Sequence, residues 1–406
     1  MKILLRLFIS LIICLSLSGC WSARELTDIT LATALAIDKD ENNGFKVTIQ
    51  VVNPSEIAGD QISSRSSVAT YSATGRTMFE AVRKITKISP RKVHLSHLQI
   101  LIYGEEFARE GIGETLDFLI RDHELRTDFT IAIAKGLTAE DLISILTPLE
   151  KIPAQKISSS IESSQDNWAP SKEVLLNELI ESISTEGKDA ILTGIYVQGN
   201  PDEGKSMRNV ESADTPAKIR LDGTGVFRGD KLLGWLNEDQ SKGFNYITNN
   251  INSTVGWVNC GDGDDDRTIT LEVINSETKI KGSIKKGKPQ INLDLNIAVN
   301  VGDVECPIDL TNTKERKEVE KKLEQKTVDL INSSVSAAKE YESDIFGFGA
   351  AIRRSDPQEW KKIKNNWVAL FQETDVKANV TIQIEQSGMI TTPIYNDIKK
   401  KTKEGK

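Results

Sequence analysis

Apolar and polar residues alternate most regularly in the last third of the chain. Six aliphatic residues fall on every second position there: Ile291, Leu293, Leu295, Ile297, Val299 and Val301. Such alternation is typical of a strand with one buried face. A second alternating run covers residues 376–384, and residues 286–289 (Lys-Gly-Lys-Pro) form a turn signal that follows a strand around residues 278–284. These patterns predict a largely antiparallel sheet in the C-terminal half.

Helices in the same half are indicated by apolar residues spaced three or four apart. A long charged helix is predicted from about residue 313 to residue 341. Asp356 is the predicted N-cap of a shorter helix, with Pro357 at its first position. We expect the apolar stripe that follows to be core rather than an aromatic ligand platform: Trp360, Ile363, Trp367, Leu370 and Phe371. The C-terminal half is therefore predicted to be α+β.

The first half of the chain alternates strands with helices. Residues 45–51 alternate and predict a half-buried strand, whereas residues 98–103 and 129–134 are apolar on both faces and predict internal strands. Thr77 and Glu80 give the signature of a capping box in front of a helical stripe. We therefore expect a mixed α/β region. No glycine-rich phosphate loop joins a strand to a helix, which argues against a nucleotide site.

Residues 198–216 contain glycine, two prolines and mixed charge without periodicity, and they predict a linker between two domains. On this basis the chain is a multidomain α+β protein. It would comprise a signal peptide (1–19), an N-terminal domain with room for two subdomains (20–197), the linker, a C-terminal domain (217–390) and a basic tail (391–406). A hairpin turning at Gly229-Asp230 is predicted to open the C-terminal domain.

The first twenty residues have the pattern of a bacterial lipoprotein signal. Lys2 and Arg6 are basic, an apolar run covers residues 3–17, and Ser18-Gly19 lead into Cys20. Small residues before a cysteine allow cleavage there, after which the thiol takes a diacylglycerol. The alternative is an uncleaved transmembrane anchor, but the run is shorter than the ~20 residues that span a bilayer. We therefore predict that lipidated Cys20 tethers the protein outside a bacterial cytoplasmic membrane.

Composition narrows the classes of partner. The 406 residues carry a net charge of −8, with 27% charged and 38% hydrophobic residues. A globular acidic body gives no indication of nucleic acid or anionic lipid headgroups as partners. Of the four cysteines, Cys14 leaves with the signal and Cys20 takes the lipid. Cys260 and Cys306 remain as either a disulfide or two free thiols, and the sequence favours neither.

The side chains offer no complete catalytic or metal-binding constellation. His94 and His97 have a ligand-like spacing, but a zinc site needs three or four ligands and no neighbouring residue supplies the others. Residues 262–266 (Asp-Gly-Asp-Asp-Asp) suggest calcium, but the positions that an EF-hand gives to glycine and glutamate hold Arg267 and Val273. No G-x-S-x-G motif occurs. We therefore expect no enzyme, no metal and no cofactor.

Short blocks along the chain resemble, in the expected order, the Ger(x)C family of spore germination proteins. The blocks are Gly19-Cys20-Trp21 with Arg24-Glu25-Leu26, then residues 34–39, 51–55, 75–81, 96–98, 104–106 and 121–122, and finally residues 344–349 (Asp-Ile-Phe-Gly-Phe-Gly) followed by Trp360 and Trp367. Members of this family are the C subunits of GerA-type nutrient receptors. The resemblance implies several α+β domains without enzymatic activity, and a lipoprotein on the outer face of the spore's inner membrane.

The resemblance also implies assembly with two integral membrane partners, the A and B subunits, in the response to nutrients. Only the role of Cys20 as the lipidated residue carries over to a position of this chain. The sequence does not indicate which nutrient is sensed, or whether this subunit contacts it. For residues 344–349 we consider a partner-facing loop and a buried structural turn, and we favour the buried turn.

Other functions stay open as alternatives. A solute-binding lipoprotein of a nutrient transporter would have two α/β lobes of similar topology around a cleft, whereas the two predicted halves do not repeat. A cell-wall hydrolase or adhesin is a third interpretation, and the missing catalytic constellation disfavours the hydrolase.

Overall fold

The computed structural model describes residues 29–42, 44–58, 65–261 and 267–386, together with the isolated Ile3. Within that range the chain forms thirteen strands in two sheets and fourteen α-helices, so the predicted α+β class is confirmed. The predictions for the signal peptide, Cys20, the acidic turn 262–266 and the basic tail fall outside these residues. Among the helices of the described range, none is long and apolar enough to cross a bilayer.

The larger sheet has nine strands. They are β1 (Ile29–Lys39), β2 (Phe45–Val52), β3 (Val68–Gly75), β4 (Lys92–His94), β5 (Ile100–Gly104), β6 (Thr130–Ala134), β7 (Ile191–Gly199), β8 (Ala217–Arg228) and β9 (Lys231–Leu236). Their order across the sheet is β3-β2-β1-β5-β6-β7-β8-β9, and β4 pairs with the beginning of β1. Strands β1, β5, β6 and β7 are parallel, with antiparallel strands at both ends.

Helices cover both faces of the parallel centre. The first nine are α1 (Pro54–Ala58), α2 (Met78–Lys84), α3 (Glu105–Glu110), α4 (Gly113–Arg121), α5 (Ala139–Ile143), α6 (Pro153–Asn167), α7 (Leu176–Ser184), α8 (Pro201–Gly204) and α9 (Arg208–Glu211). Helices α5 and α6 pack on the face that carries Ala34 and Ile102, and α2 to α4 pack on the face of Leu35 and Tyr103. Every residue of β5 and β6 is buried, which confirms the prediction of internal strands.

Two predicted caps differ in detail from the structure. At α2, the Thr77 hydroxyl accepts the N–H of Glu80 at 3.1 Å, as expected, but the Glu80 carboxylate accepts the N–H of Arg76 rather than that of Thr77. The sequence also predicts that Ser171 caps a helix whose apolar side runs from Leu175 to Ile183. In the structure Ser171 is buried upstream of α7, whose N-cap position is Leu175. Local sequence signals located both helices and predicted the first residue of α2 correctly, but they placed the start of α7 too early.

The larger sheet continues across the predicted domain boundary. Residues 198–216 contain α8 and α9 and connect β7 to β8, which are antiparallel neighbours with Ile191 opposite Val226. The predicted hairpin at Gly229-Asp230 is present as β8 and β9, but it extends the first sheet instead of opening the second. A polar connection between two paired strands has the same composition as an interdomain linker, so composition does not distinguish them.

The smaller sheet has four strands: β10 (Thr254–Asn259), β11 (Thr268–Lys285), β12 (Lys288–Val304) and β13 (Asp375–Gln386). Strands β11 and β12 form a long hairpin whose turn residues, Lys286 and Gly287, have φ angles of 51° and 79°. Positive φ at both positions is what a two-residue type I′ turn requires. Only β12 and β13 pair in parallel, so the sheet is largely antiparallel as predicted.

Five helices belong to the second half of the chain. They are α10 (Glu238–Ile247), α11 (Thr313–Glu340), α12 (Phe348–Ser355), α13 (Pro357–Ile363) and α14 (Trp367–Gln372). Helix α11 is the predicted long helix, and it packs against the smaller sheet through Val319, Leu323 and Ile331. Asp356 caps α13 by accepting the N–H of Glu359 at 3.0 Å. Helices α11 to α14 form the crossover that lets β13 run parallel to β12.

Acidic side chains of α11 contact one outer edge of the smaller sheet. The carboxylates of Glu324 and Glu320 accept the backbone N–H groups of Ile382 and Ile384 on β13, each at 3.0 Å. Two donors of an edge strand therefore have partners within the same molecule.

Basic side chains of the same helix contact the opposite edge. Lys326 donates to the carbonyl of Trp257 at 3.1 Å, and Lys322 donates to the carbonyl of Asn259 at 3.3 Å. One helix thus supplies glutamates to the donors of β13 and lysines to the acceptors of β10.

Cys260 and Cys306 form a disulfide, with their Cα atoms 6.1 Å apart. Cys260 follows β10 and Cys306 follows β12, and both strands end beside the start of β11, so the bond links two strands at one end of the smaller sheet. This answers the question that the sequence left open.

Candidate functional site

His94 and His97 are held by one serine. The Ser96 hydroxyl lies 2.8 Å from Nδ1 of His94 and 2.9 Å from Nδ1 of His97. Across the part of the chain that the structure describes, no group of three His, Cys, Asp or Glu side chains is arranged to hold a metal ion. The two histidines therefore act in a local hydrogen-bond network around a turn.

Residues 344–349 lie in the core. Ile345, Phe346 and Phe348 are buried, and the rings of Phe346 and Phe348 stack with centroids 4.9 Å apart. Phe346 also contacts Phe244 of α10, at a centroid distance of 5.9 Å. The structure thus places this block as a buried turn, which is the interpretation that we favoured from the sequence.

The Asp344 carboxylate organises the start of α12. It accepts the backbone N–H groups of Phe348 at 3.0 Å and Gly349 at 2.8 Å, and the indole N–H of Trp367 at 3.0 Å. These three donors favour the charged form and lower the pKa of Asp344, but burial has the larger, opposite effect and raises its pKa to about 7. The nearby carboxylate of Asp189 contributes to the same increase.

Asp189 connects this turn to the larger sheet. Its carboxylate accepts the N–H of Asp344 at 3.0 Å and the N–H of Gly229, in the β8–β9 turn, at 3.0 Å. Its own N–H donates to the carbonyl of Asp344 at 2.9 Å. Burial raises the pKa of Asp189 as well, although these N–H donors oppose the increase. Two neighbouring carboxylates thus bridge the two halves of the molecule.

Two glycines allow the backbones to meet at the same place. A Cβ on Gly349 would lie 2.8 Å from the Cα of Gly187 and 2.7 Å from the Trp360 ring. Trp360 in turn packs edge-on against Trp367, with ring centroids 5.3 Å apart. The most recognisable block of the sequence therefore builds the contact between the halves, and its aromatic residues are core.

A second block of the resemblance is also structural. Asp38, at the end of β1, accepts the N–H groups of Ala139 and Glu140 at 2.8 and 2.9 Å, and so caps α5 from a distant strand. Burial raises the pKa of Asp38, and the two N–H donors lower it to a smaller extent. Gly104 lies alongside, where a Cβ would be 2.2 Å from the Asp38 carboxylate.

An open groove of the described surface lies between α2 and α4. We call it the α2–α4 groove; it has a volume of about 700 Å³ and is lined on its floor by Phe45, Met78, Val82, Val93, Leu95 and Phe118. Phe79 stands at its mouth, 51% exposed, with its ring edge-on to Phe118 at 6.4 Å. A cavity of this size with an apolar floor is typical of binding sites.

Charged groups of both signs surround the α2–α4 groove. On the side of α2 lie Arg76 and Arg83, and the Arg83 guanidinium is 4.8 Å from the centroid of the Phe79 ring. On the side of α4 lie Glu114, Asp117, Arg121, Asp122, His123 and Glu124, and below them Lys92 of β4. Arg121 pairs with Asp117 at 2.7 Å, and Lys92 pairs with Glu124. One side therefore presents arginines and the other mainly carboxylates.

Sequence reasoning missed this groove. The apolar stripe in the sequence of α2 predicts which side of that helix is buried, but Phe79 lies outside the stripe. An aromatic residue on the polar side of an amphipathic helix was the available signal.

Comparison with known proteins identifies the family. The family described as "Spore germination protein N-terminal domain" matches residues 22–197, and the family described as "Spore germination B3/ GerAC like, C-terminal" matches residues 222–388. The chain belongs to this family of spore germination proteins. Together the two matches cover most of the chain and confirm the resemblance found in the short blocks.

Two relatives from Bacillus subtilis (strain 168) match over nearly their whole length. Spore germination protein KC is 28% identical over 390 residues, which cover 94% of this chain and 95% of the relative. Spore germination protein B3 is 26% identical over 389 residues, which cover 93% and 96% respectively. The germination protein is thus similar to these relatives over nearly its whole length.

A solved structure shares the fold. The crystal structure of the GerBC protein superposes with a TM-score of 0.51, covering 86% of this chain and 96% of that chain at 22% identity. The germination protein is thus α+β and multidomain. Its two sheets differ in strand number and topology, unlike the two similar lobes expected of a solute-binding lipoprotein.

Proposed function

We propose that this protein is the lipid-anchored C subunit of a nutrient germinant receptor. In this role it assembles with the integral membrane A and B subunits on the outer face of the spore's inner membrane, and spores need it to germinate in response to nutrients. The body acts through binding surfaces rather than through catalysis.

The observation that carries the proposal is the family match over residues 22–197 and 222–388. The N-terminal sequence supports the anchor, because a basic start, an apolar run and small residues precede Cys20. A diacyl anchor holds a protein stably on a membrane and raises its effective concentration toward membrane partners.

The test is deletion of the gene in the spore-forming host, followed by measurement of spore refractility with single nutrients. We expect a defect confined to particular nutrients, restored by the wild-type gene and not by Cys20→Ala. Fractionation of the spores should find the wild-type chain with the inner membrane and Cys20→Ala in the soluble fraction. The wild-type chain should co-purify with the A and B subunits, and Cys20→Ala should not.

Normal germination with every nutrient, in a host without a second receptor of this class, would contradict the proposal. Impaired nutrient uptake by vegetative cells would instead favour the transporter lipoprotein. Rescue by Cys20→Ala at full efficiency would remove the anchor from the proposal while leaving the receptor role in place.

A further inference from the structure

A second cavity lies where the two halves of the molecule meet, and we call it the junction cavity. It has a volume of about 260 Å³ and includes Asp189, which contacts Asp344 across the junction. The N-terminal half contributes α7 and the start of β7 to its lining, and the C-terminal half contributes α10, β11 and residues 345–354. A molecule bound in the junction cavity would therefore contact both halves at once.

The lining of the junction cavity is partly apolar and partly charged. Phe244, Ile280 and Phe346 belong to its apolar part. Its charged part consists of three cations and three carboxylates: Lys172, Lys188, Arg354, Glu178, Glu181 and Asp189. Because the two signs are equal in number, the lining is suited to a ligand without net charge.

Two of these charged groups lack a partner among the described residues. Oε2 of Glu178 is buried without a hydrogen bond from any of them. The Lys172 ammonium has neither a hydrogen bond nor an ion pair within the described part of the chain. Burial lowers the pKa of Lys172, and the negative charge of Glu178 opposes that decrease only in part. The two groups therefore act on each other through space without forming a contact.

A ligand of suitable charge would supply the missing partners. Removal of a charged group from water is unfavourable unless a group of opposite charge or a hydrogen bond replaces the water. An anionic group of the ligand would satisfy Lys172, and a cationic group would satisfy Glu178. A small zwitterion carries both groups a few atoms apart, so one molecule can contact both side chains.

We propose that the junction cavity binds a free α-amino acid with an apolar side chain. The carboxylate of the ligand accepts a hydrogen bond from Lys172, its ammonium donates to Glu178, and its side chain packs against Phe244 and Phe346. A cavity of about 150 Å³ holds benzene, whereas drug-sized ligands occupy about 300–1,000 Å³. The junction cavity, at about 260 Å³, lies between these sizes, as an amino acid requires.

The inference goes beyond the function proposed above, because it gives this chain a small-molecule ligand of its own. It depends neither on the lipid anchor nor on the A and B subunits. The ligand contacts both halves, so it binds the folded chain in preference to the unfolded one and stabilises the junction. Binding can therefore fail while the receptor role holds, and the receptor role can fail while binding holds.

Calorimetric titration of the purified full chain in detergent tests the binding. The probes are alanine, valine, leucine and phenylalanine, and we expect at least one to bind with a dissociation constant in the millimolar range or below. The amide and the N-acetyl derivative of that amino acid each lose one charge at nearly the same size. Each derivative should bind at least about tenfold more weakly, as expected for the loss of a hydrogen bond between charged groups.

Hydrogen exchange followed by mass spectrometry locates the bound ligand. At saturation, exchange should slow in α7 and in residues 344–355, because these segments line the junction cavity or adjoin it. Exchange in α4, which lines the separate α2–α4 groove, should stay unchanged. Slower exchange in α4 alone would place the ligand in that groove and overturn the assignment.

Two substitutions remove the unpartnered charges. Lys172→Met and Glu178→Gln each keep the approximate size of the side chain, and each should weaken binding at least about tenfold. Without ligand, Lys172→Met should raise the melting temperature, because a charge without a partner has been removed from a partly buried site. Lys231→Met, at an exposed position at the start of β9, is the matched control and should change neither quantity.

Three results would overturn the proposal. If the folded wild type binds none of the four amino acids, the junction cavity is left to water. If the uncharged derivatives bind equally well, or if both variants keep the wild-type affinity, the charge pair does not hold the ligand. If Lys172→Met without ligand has a lower melting temperature than the wild type, Lys172 stabilises the junction itself and is not reserved for a ligand.

Discussion

The two sheets of this germination protein are stabilised in different ways. The larger sheet has parallel central strands that are buried on both faces, with helices on each side. The smaller sheet is crossed by α11, which supplies glutamates to one edge and lysines to the other, and it is closed at one end by a disulfide. Apolar burial dominates the first sheet, whereas the second adds polar contacts and a covalent bond to a smaller core.

The contact between the two sheets is stabilised in a third way. It consists of two buried carboxylates, two glycines in close approach and a cluster of aromatic rings. Changes in this contact should therefore affect the whole molecule, and changes in the smaller sheet should stay local.

The largest effect is expected from Phe346→Asp. Loss of a buried ring costs about 3–5 kcal/mol, and an unpaired buried carboxylate adds to that cost, so the protein should unfold or lose most of its stability. Chemical denaturation measures the loss. Val368→Asp, at a position 46% exposed on nearby α14, is the control and should cost less than about 1 kcal/mol. Normal stability of Phe346→Asp together with lost receptor assembly would instead make residues 344–349 an interface.

The next effect in size is expected from removal of the disulfide. The two cysteines are 46 residues apart, and a loop of that size predicts a loss of about 4 kcal/mol when both become serine. Hydrogen exchange followed by mass spectrometry should show faster exchange in β10 to β12 and unchanged exchange in β5 and β6. Uniformly faster exchange in both sheets would show that the disulfide supports the whole molecule.

A smaller effect is expected from pH, through Asp344. Its pKa in the folded protein, about 7, lies above the ordinary aspartate pKa of 3.8 that applies to the unfolded chain, so the folded state binds the proton more tightly. The stabilisation is complete below the unfolded pKa and is lost as the pH rises through 7. The unfolding free energy should therefore fall between pH 4 and pH 7, by at most about 1.4 kcal/mol per pH unit.

Asp344→Asn isolates that contribution, because all other titrating groups remain. The difference in unfolding free energy between the wild type and Asp344→Asn should shrink as the pH rises from 4 to 7. A difference that is constant across this range would show that Asp344 does not titrate there.

The smallest effect is expected at the edge of the smaller sheet. Replacement of both Glu320 and Glu324 by alanine removes the side-chain acceptors of two N–H groups on β13, and should cost about 1 kcal/mol per hydrogen bond. Light scattering should also detect more self-association, since an edge strand with free donors can pair with another chain. Glu318→Ala, at an exposed position of the same helix, should change neither quantity.

Local patterns predicted the smaller sheet better than the larger one. Alternation over residues 291–301 and the turn at residues 286–289 determine neighbouring strands directly, because the pairing is a hairpin. The parallel pairing of β13 with β12 depends on a crossover of four helices, which no local pattern reports. Helix α6 was missed because its exposed side is rich in serine, and β3 was missed because few of its residues are buried.

The candidate sites divide in the same way. The buried turn at residues 344–349 was predicted from its apolar and glycine pattern. Its partners Asp189 and Gly187 were not predicted, because they are distant in sequence. The α2–α4 groove was missed because it is formed by two helices with β4 between them, and each helix alone shows only a normal amphipathic stripe. Lipidation of Cys20 remains a prediction from sequence.

The hydrogen bond from Asp344 to Asp189 also bears on the order of folding. These residues are 155 positions apart, so the larger sheet cannot complete this contact until most of the chain has been synthesised. Contacts between residues so distant in sequence form slowly, because the loop between them must first close. For a chain that is synthesised from its N-terminus, we expect an early phase in which the parallel centre forms alone. The final locking of the two halves then waits for the arrival of α12.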